Sequence, residues 1–144
     1  MRSVRFVVVV VGAMLALTLA GASASAATPK NFHLDKTCGP DATEPLGYVC
    51  TVQHSDFKWI PPGTKIHYLS QNAARDVVQA YIAIKNGSTK GECVWSVPDF
   101  LTAVCTFGPG AGRLTHFHLV VKVGTNAGQS IWYWDGTYWF GGRH

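Results

Sequence analysis

Charge is scarce in this chain. Of 144 residues, 12 are Lys or Arg and 8 are Asp or Glu. The cations are scattered and form no basic run, which excludes an electrostatic nucleic-acid surface. The acids are spread too thinly to set up a carboxylate pair for glycosidic chemistry. No G-x-S-x-G nucleophile turn occurs, and no C-x2-C pair suggests zinc. No twin-arginine pair is present, and no cysteine follows the first apolar run to carry a lipid. No second apolar run approaches the length of a membrane helix.

The first apolar run is informative. "MRSVR" gives a basic start, Phe6 to Ala20 is uninterruptedly apolar over about 15 residues, and "GASASA" ends in small residues. About 20 apolar residues are needed to span a bilayer. The pattern therefore predicts a secretory signal peptide over residues 1–26 rather than an anchor. The expected product is a secreted, extracellular single domain over residues 27–144, with no stable membrane insertion after cleavage. Loss of Arg2 and Arg5 leaves ten basic residues against eight acidic, a net charge near +2.

All four cysteines lie beyond the leader, as an even number in an exported chain leads one to expect of disulfides. Cys38 to Cys50 and Cys93 to Cys105 are each twelve apart and bracket turn residues. Two local bridges are the economical pairing of the three that four cysteines allow. With all thiols oxidised, a cysteine nucleophile is excluded.

The mature chain reads as β almost throughout. Val, Ile, Thr, Tyr, Phe and Trp are frequent, and turn residues recur at short intervals. Expected strands are 32–37, 48–58, 64–70, 77–85, 91–97, 101–107, 112–123 and 129–140, with a break or bulge at Asp135-Gly136. One helical turn at 72–76 is expected before the fourth. Asn86-Gly87-Ser88 fits a glycosylation sequon but reads better as a hairpin turn. Eight short strands with tight links predict an all-β antiparallel eight-stranded barrel, which removes exposed edges. A two-sheet β-sandwich is the alternative.

Centring the hairpins on Asp99, Gly110 and Asn126 sets Cys93 opposite Cys105, Cys105 opposite Thr115, and His118 opposite Trp134. One face then carries Trp95, Val97, Cys105, Phe107, Phe117, Leu119, Val121, Val123, Ile131 and Tyr133, an apolar core. The other carries Glu92, Val94, Val104, His116, His118, Lys122, Trp132 and Trp134.

His116 and His118 are two apart and share a strand face, which is half of a metal site. "GAGRLTHFH" follows the start of the cupin metal motif, but Lys122 stands where that motif needs a glutamate. His33, His54 or His67 complete a site only if folding brings them near. Glu92 beside His116 is a weak candidate for a proton shuttle. The reading is therefore no metal, no cofactor and no catalytic residue. "IWYWDGTYWF" holds six aromatics in ten residues, more than core packing asks for. His116, His118, Trp132 and Trp134 are the expected binding patch, suited to a small apolar, aromatic or sugar ligand or to a second copy of the chain.

The stretch "TFGPGAGRLTHFHLVVKV" with its aromatic last strand resembles the Gly-rich hairpin of allene oxide cyclase-type and dirigent-type barrels. The matching residues are Gly110, Gly112, Arg113, Leu114, Phe117 and Asp135 to Phe140. The ending "WDGTY.F" is similar to that of small secreted bacterial proteins. The likeness covers about the last third of the chain. It implies an eight-stranded barrel with an apolar lumen, often trimeric. No functional polar residue of either family finds a matching position here, so fold is implied and catalysis is not.

The sequence thus leads to an exported, disulfide-stabilised β-barrel with a non-catalytic binding or interaction role. The alternatives are a cyclase or isomerase acting on an apolar small molecule in the lumen, and a structural envelope or spore-surface protein.

Overall fold

A computed structural model describes residues 27–141. The expected signal peptide and residues 142–144 lie outside the described residues. Nine strands run β1 (Lys30–Pro40), β2 (Tyr48–Ser55), β3 (Lys65–Gln71), β4 (Val77–Ile84), β5 (Gly87–Trp95), β6 (Ala103–Phe107), β7 (Ala111–Gly112), β8 (Phe117–Thr125) and β9 (Trp132–Phe140). Every pairing is antiparallel. β4 pairs with β5 and β1 with β9, so eight strands close into a barrel, with the short β7 added against β5. The barrel, not the sandwich, is the architecture.

The wall follows period-2 alternation. Phe32, Leu34 and Lys36 of β1 point inward, as do Ile66 and Tyr68 of β3, Ala80 and Ile82 of β4, and Phe117, Leu119, Val121 and Val123 of β8. Where Asp35 pairs with His54 but Lys36 pairs with Val52, β2 carries one extra residue. That bulge keeps Lys36 and Val52 both inside.

Several expected details are corrected. β2 stops at Ser55, and Phe57 to Ile60 turn in under the barrel instead of extending it. Residues 72–76 form a turn rather than helix: Asn72 Oδ1 accepts from the Val77 N–H at 3.1 Å, and Arg75 takes φ 63°. Asp135-Gly136 neither breaks nor bulges β9. Gly136 faces inward where the strand coils tightly against β8, and a Cβ there would run into the Val120 carbonyl oxygen.

The two β8 registers differ from expectation in an instructive way. Cys105 pairs with Val121, not Thr115, because β7 and the turn at 113–116 intervene. That displacement is six residues, an even number, so the inward set of β8 is as expected. His118 pairs with Trp139, not Trp134, a displacement of five. The β8–β9 loop is centred beyond Asn126, whose Oδ1 accepts from Ser130 and Ile131 N–H at 2.9 and 3.1 Å. An odd displacement turns β9 over: Trp134 is fully buried, Tyr133 faces outward, and Ile131 is exposed. Val97, also expected in the core, is 62% exposed beyond the end of β5.

Both disulfides are local and cross-strand, Cys38–Cys50 between β1 and β2 and Cys93–Cys105 between β5 and β6. Each closes a loop of sequence separation 12, for which chain entropy gives about 3 kcal/mol. The double variant Cys93→Ser/Cys105→Ser is expected to lose about 3 kcal/mol in urea unfolding. Thiol titration of the unfolded native protein is expected to find no free cysteine.

Candidate functional site

The two ends of the barrel differ. One end is plugged by the chain itself. Phe32, Phe57, Ile60, Leu114 and Phe117 are buried there, with Trp59, Tyr138 and Phe140 packed around them. Phe57 stacks on Phe117 at 5.3 Å and 7° and meets Tyr138 at 4.5 Å. Mid-barrel, Phe107 and Trp134 pack at 5.2 Å, and Gly91 beneath Phe107 leaves it room.

The other end is open. A cavity of about 440 Å³ is lined by Lys36, Tyr48, Tyr68, Trp95 and Trp132 together with the backbone around Cys38 to Pro40. That volume suits a small ligand. Trp95 and Trp132 meet edge to face at 5.6 Å, and Tyr48 stacks on Tyr68 at 5.0 Å. A second hollow of about 310 Å³ continues from it past Tyr48 and Trp95 to Arg75 and Phe100. A larger cavity of about 820 Å³ lies at the plugged end. It is walled by residues including Lys58, Lys85 and Arg113, and among the described residues no buried polar group lines it. The open mouth is therefore the candidate site.

Its floor is unusual. Lys36 is 2% exposed, the one buried cation among the described residues. Nζ donates a hydrogen bond to the Tyr68 hydroxyl, whose oxygen lies 3.7 Å from Cys50 Sγ. Nζ also sits 4.4 Å from the Trp134 ring centre and 5.1 Å from that of Tyr68. Among the described residues no carboxylate pairs with it. Burial pulls the Lys36 pKa down from 10.5 to about 7, and burial pushes that of Tyr68 up. Trp134 Nε1 is buried and has no acceptor among the described residues.

The residues expected to form a surface patch do not share a face. His116 is exposed in the turn before β8 and not on the strand. His118 is half-buried on the outer wall and stacks on Trp139 at 5.2 Å and 9°. Trp134 is corrected from the surface to the lumen, and Trp132 to the inner rim of the mouth. The odd register displacement is the cause in both cases. Lys122 pairs with Asp135 across the strands. Glu92 accepts from Gln79 at 2.7 Å and takes no part with His116.

Folding does bring other histidines together. His33, Asp35 and His54 place ligand atoms within 4.8 Å of one another on the outer wall. His33 Nδ1 donates to Asp135 Oδ1 at 2.5 Å, and its Nε2 lies 3.1 Å from Asp35 Oδ1. Both ring nitrogens face carboxylates, so a proton is the natural occupant. The His33 pKa is raised accordingly, first by the hydrogen bond to Asp135 and then by the charges of Asp135, Asp35 and Asp56, against a lowering by burial. Sequence separation hid this cluster, since Asp135 lies 102 residues from His33.

No protein-family model matches the chain, and no significant match is found among curated proteins or solved structures.

Two outcomes are expected. Between about pH 7 and 10.5 the unfolded chain binds the Lys36 proton and the folded one does not, so stability rises with pH across that window. Lys36→Met removes this rise and stabilises the protein at pH 6 by about 2 kcal/mol, measured by urea unfolding at pH 6 and 9. Asp135→Asn lowers the His33 pKa toward 6.5, read from the imidazole resonances in an NMR titration.

Proposed function

We propose that the chain is an exported, disulfide-stapled barrel that binds a small apolar or aromatic molecule in its open mouth, without catalysing a reaction on it. One observation carries the reading: the chain fills one end of its lumen with its own aromatic side chains and leaves the other as an aromatic-walled cavity. Aromatic walls with one or two placed polar groups are the usual make-up of a small-molecule site. Two intramolecular disulfides are compatible with an oxidising, extracellular setting. The likeness of the C-terminal third to allene oxide cyclase-type and dirigent-type barrels points the same way, toward an apolar guest in the lumen.

A cyclase or isomerase is the second reading, and Lys36 with Tyr68 at the cavity floor is the observation that favours it. Among the described residues neither a carboxylate nor an imidazole contacts that pair to relay a proton. Binding is therefore the better-supported role. Exposed Val94 and Val104, paired on the outer wall, are the feature that would serve self-association in an envelope protein.

The neutral fluorophore N-phenyl-1-naphthylamine tests the reading. It is expected to brighten on titration with the protein and to quench tryptophan emission. Trp132→Ala or Trp95→Ala should weaken binding about tenfold, the equivalent of about 1.4 kcal/mol. Absence of binding, or binding indifferent to both substitutions, would refute the mouth as the site.

A further inference from the structure

Lys36 is the feature that simple ligand binding leaves unexplained. A lysine buried among aromatic rings is costly, and a leucine or methionine would pack there at lower cost. Among the described residues it has one neutral hydrogen-bond partner and no countercharge. The ionisable groups facing it are Tyr68 from β3 and Tyr48 from β2. β5 and β9 present only Trp95, Trp132 and Trp134, while Asp35 and His33 on its own strand and Asp135 on β9 point to the outer wall. Lys36 is one of the residues that line the cavity, so a molecule seated in the mouth meets this side chain.

We propose that Lys36 captures the carbonyl group of an aromatic or apolar aldehyde or ketone as a reversible imine at the floor of the mouth. This rests on the binding role proposed above and names the chemical class of the guest. In the addition, the nitrogen lone pair forms a bond to the carbonyl carbon, and the C=O π pair moves to oxygen. That oxygen gains a proton and nitrogen loses one, giving a carbinolamine. The hydroxyl then leaves with a further proton as water through the open mouth, and a C=N bond forms. Amine and carbonyl become imine and water, with no oxidant or reductant.

The surroundings suit each stage. Desolvation keeps a large share of the amine unprotonated near neutrality, a recognised means of activating a lysine nucleophile. The Tyr68 hydroxyl, already in contact with Nζ, is placed to give a proton to the departing hydroxyl. The Trp134 and Tyr68 rings that face Nζ stabilise the protonated imine, a cation. A carboxylate guest is less well served, because among the described residues Lys36 is the only cation lining this cavity and a buried ion pair repays its desolvation poorly without further donors.

The experiment is reductive trapping with 2-naphthaldehyde and sodium cyanoborohydride on the intact, oxidised protein, read by peptide mass mapping. At pH 7 an ordinary exposed lysine is unprotonated to roughly one part in a thousand, whereas Lys36 is near half. Lys36 is expected to be labelled at least a hundredfold faster than Lys58 or Lys90. Its rate should level off above about pH 7. Tyr68→Phe is expected to slow labelling at Lys36 about a hundredfold, the lower end of what a positioned proton donor contributes. N-phenyl-1-naphthylamine should compete with it. Lys36 labelling no faster than that of Lys58 or Lys90, or labelling that the competitor leaves unchanged, would overturn the proposal. Should the naphthylamine bind the mouth while Lys36 stays unlabelled, the imine is refuted and the binding role stands. Should the naphthylamine fail to bind, the binding role itself is refuted.

Discussion

The structure depends on one seam. β1 and β9, near opposite ends of the described chain, pair over seven positions from Lys30–Tyr138 to Lys36–Trp132. Without that seam the sheet is open, with two unprotected edges and no interior. With it, every inward residue shares a single lumen. The same seam brings Trp132 and Trp134 beside Lys36, and Asp135 beside His33. The mouth site and the outer-wall histidine cluster both sit on it. Its cost is a long loop closure, which the two local disulfides do not share, since each bridges only neighbouring strands.

Much of the fold could be read from residue types. Strand-forming residues separated by turn chemistry point to the eight strands of the barrel, though not to the short β7, and the equal spacing within the two cysteine pairs makes local bridges the economical pairing. Register could not be read in the same way, because it is decided by loops whose internal bonding leaves no pattern in the flanking strands. Parity then determines what such an error costs. The β6–β8 displacement is even and left Phe117, Leu119, Val121 and Val123 on the correct side. The β8–β9 displacement is odd and exchanged the two faces of β9, moving Trp134 from a supposed surface patch to the centre of the lumen. The histidine–tryptophan contact survives with another partner, Trp139.

The site was least legible where it matters most. Phe32, Leu34 and Lys36 alternate on β1, so the period alone puts Lys36 inside. Residue type argues the reverse, since lysine is almost never fully buried. Aromatic density points to the last strand, but three of the four aromatic residues of the mouth, Tyr48, Tyr68 and Trp95, come from three other strands. Their convergence is a property of closure and has no local signature.

The placement of the disulfides has a mechanical consequence. Cys38 lies on the rim of the mouth, and Cys93 is two residues before Trp95 on the far side. The two covalent ties thus brace opposite walls of the opening. The disulfides hold neighbouring strands together on both walls, while the connecting segments at 41–47 and 96–102 are tied by neither bridge. Little conformational freedom is left to lose on docking. Reduction would loosen the rim before it unmade the plug, because neither tie reaches the aromatic end.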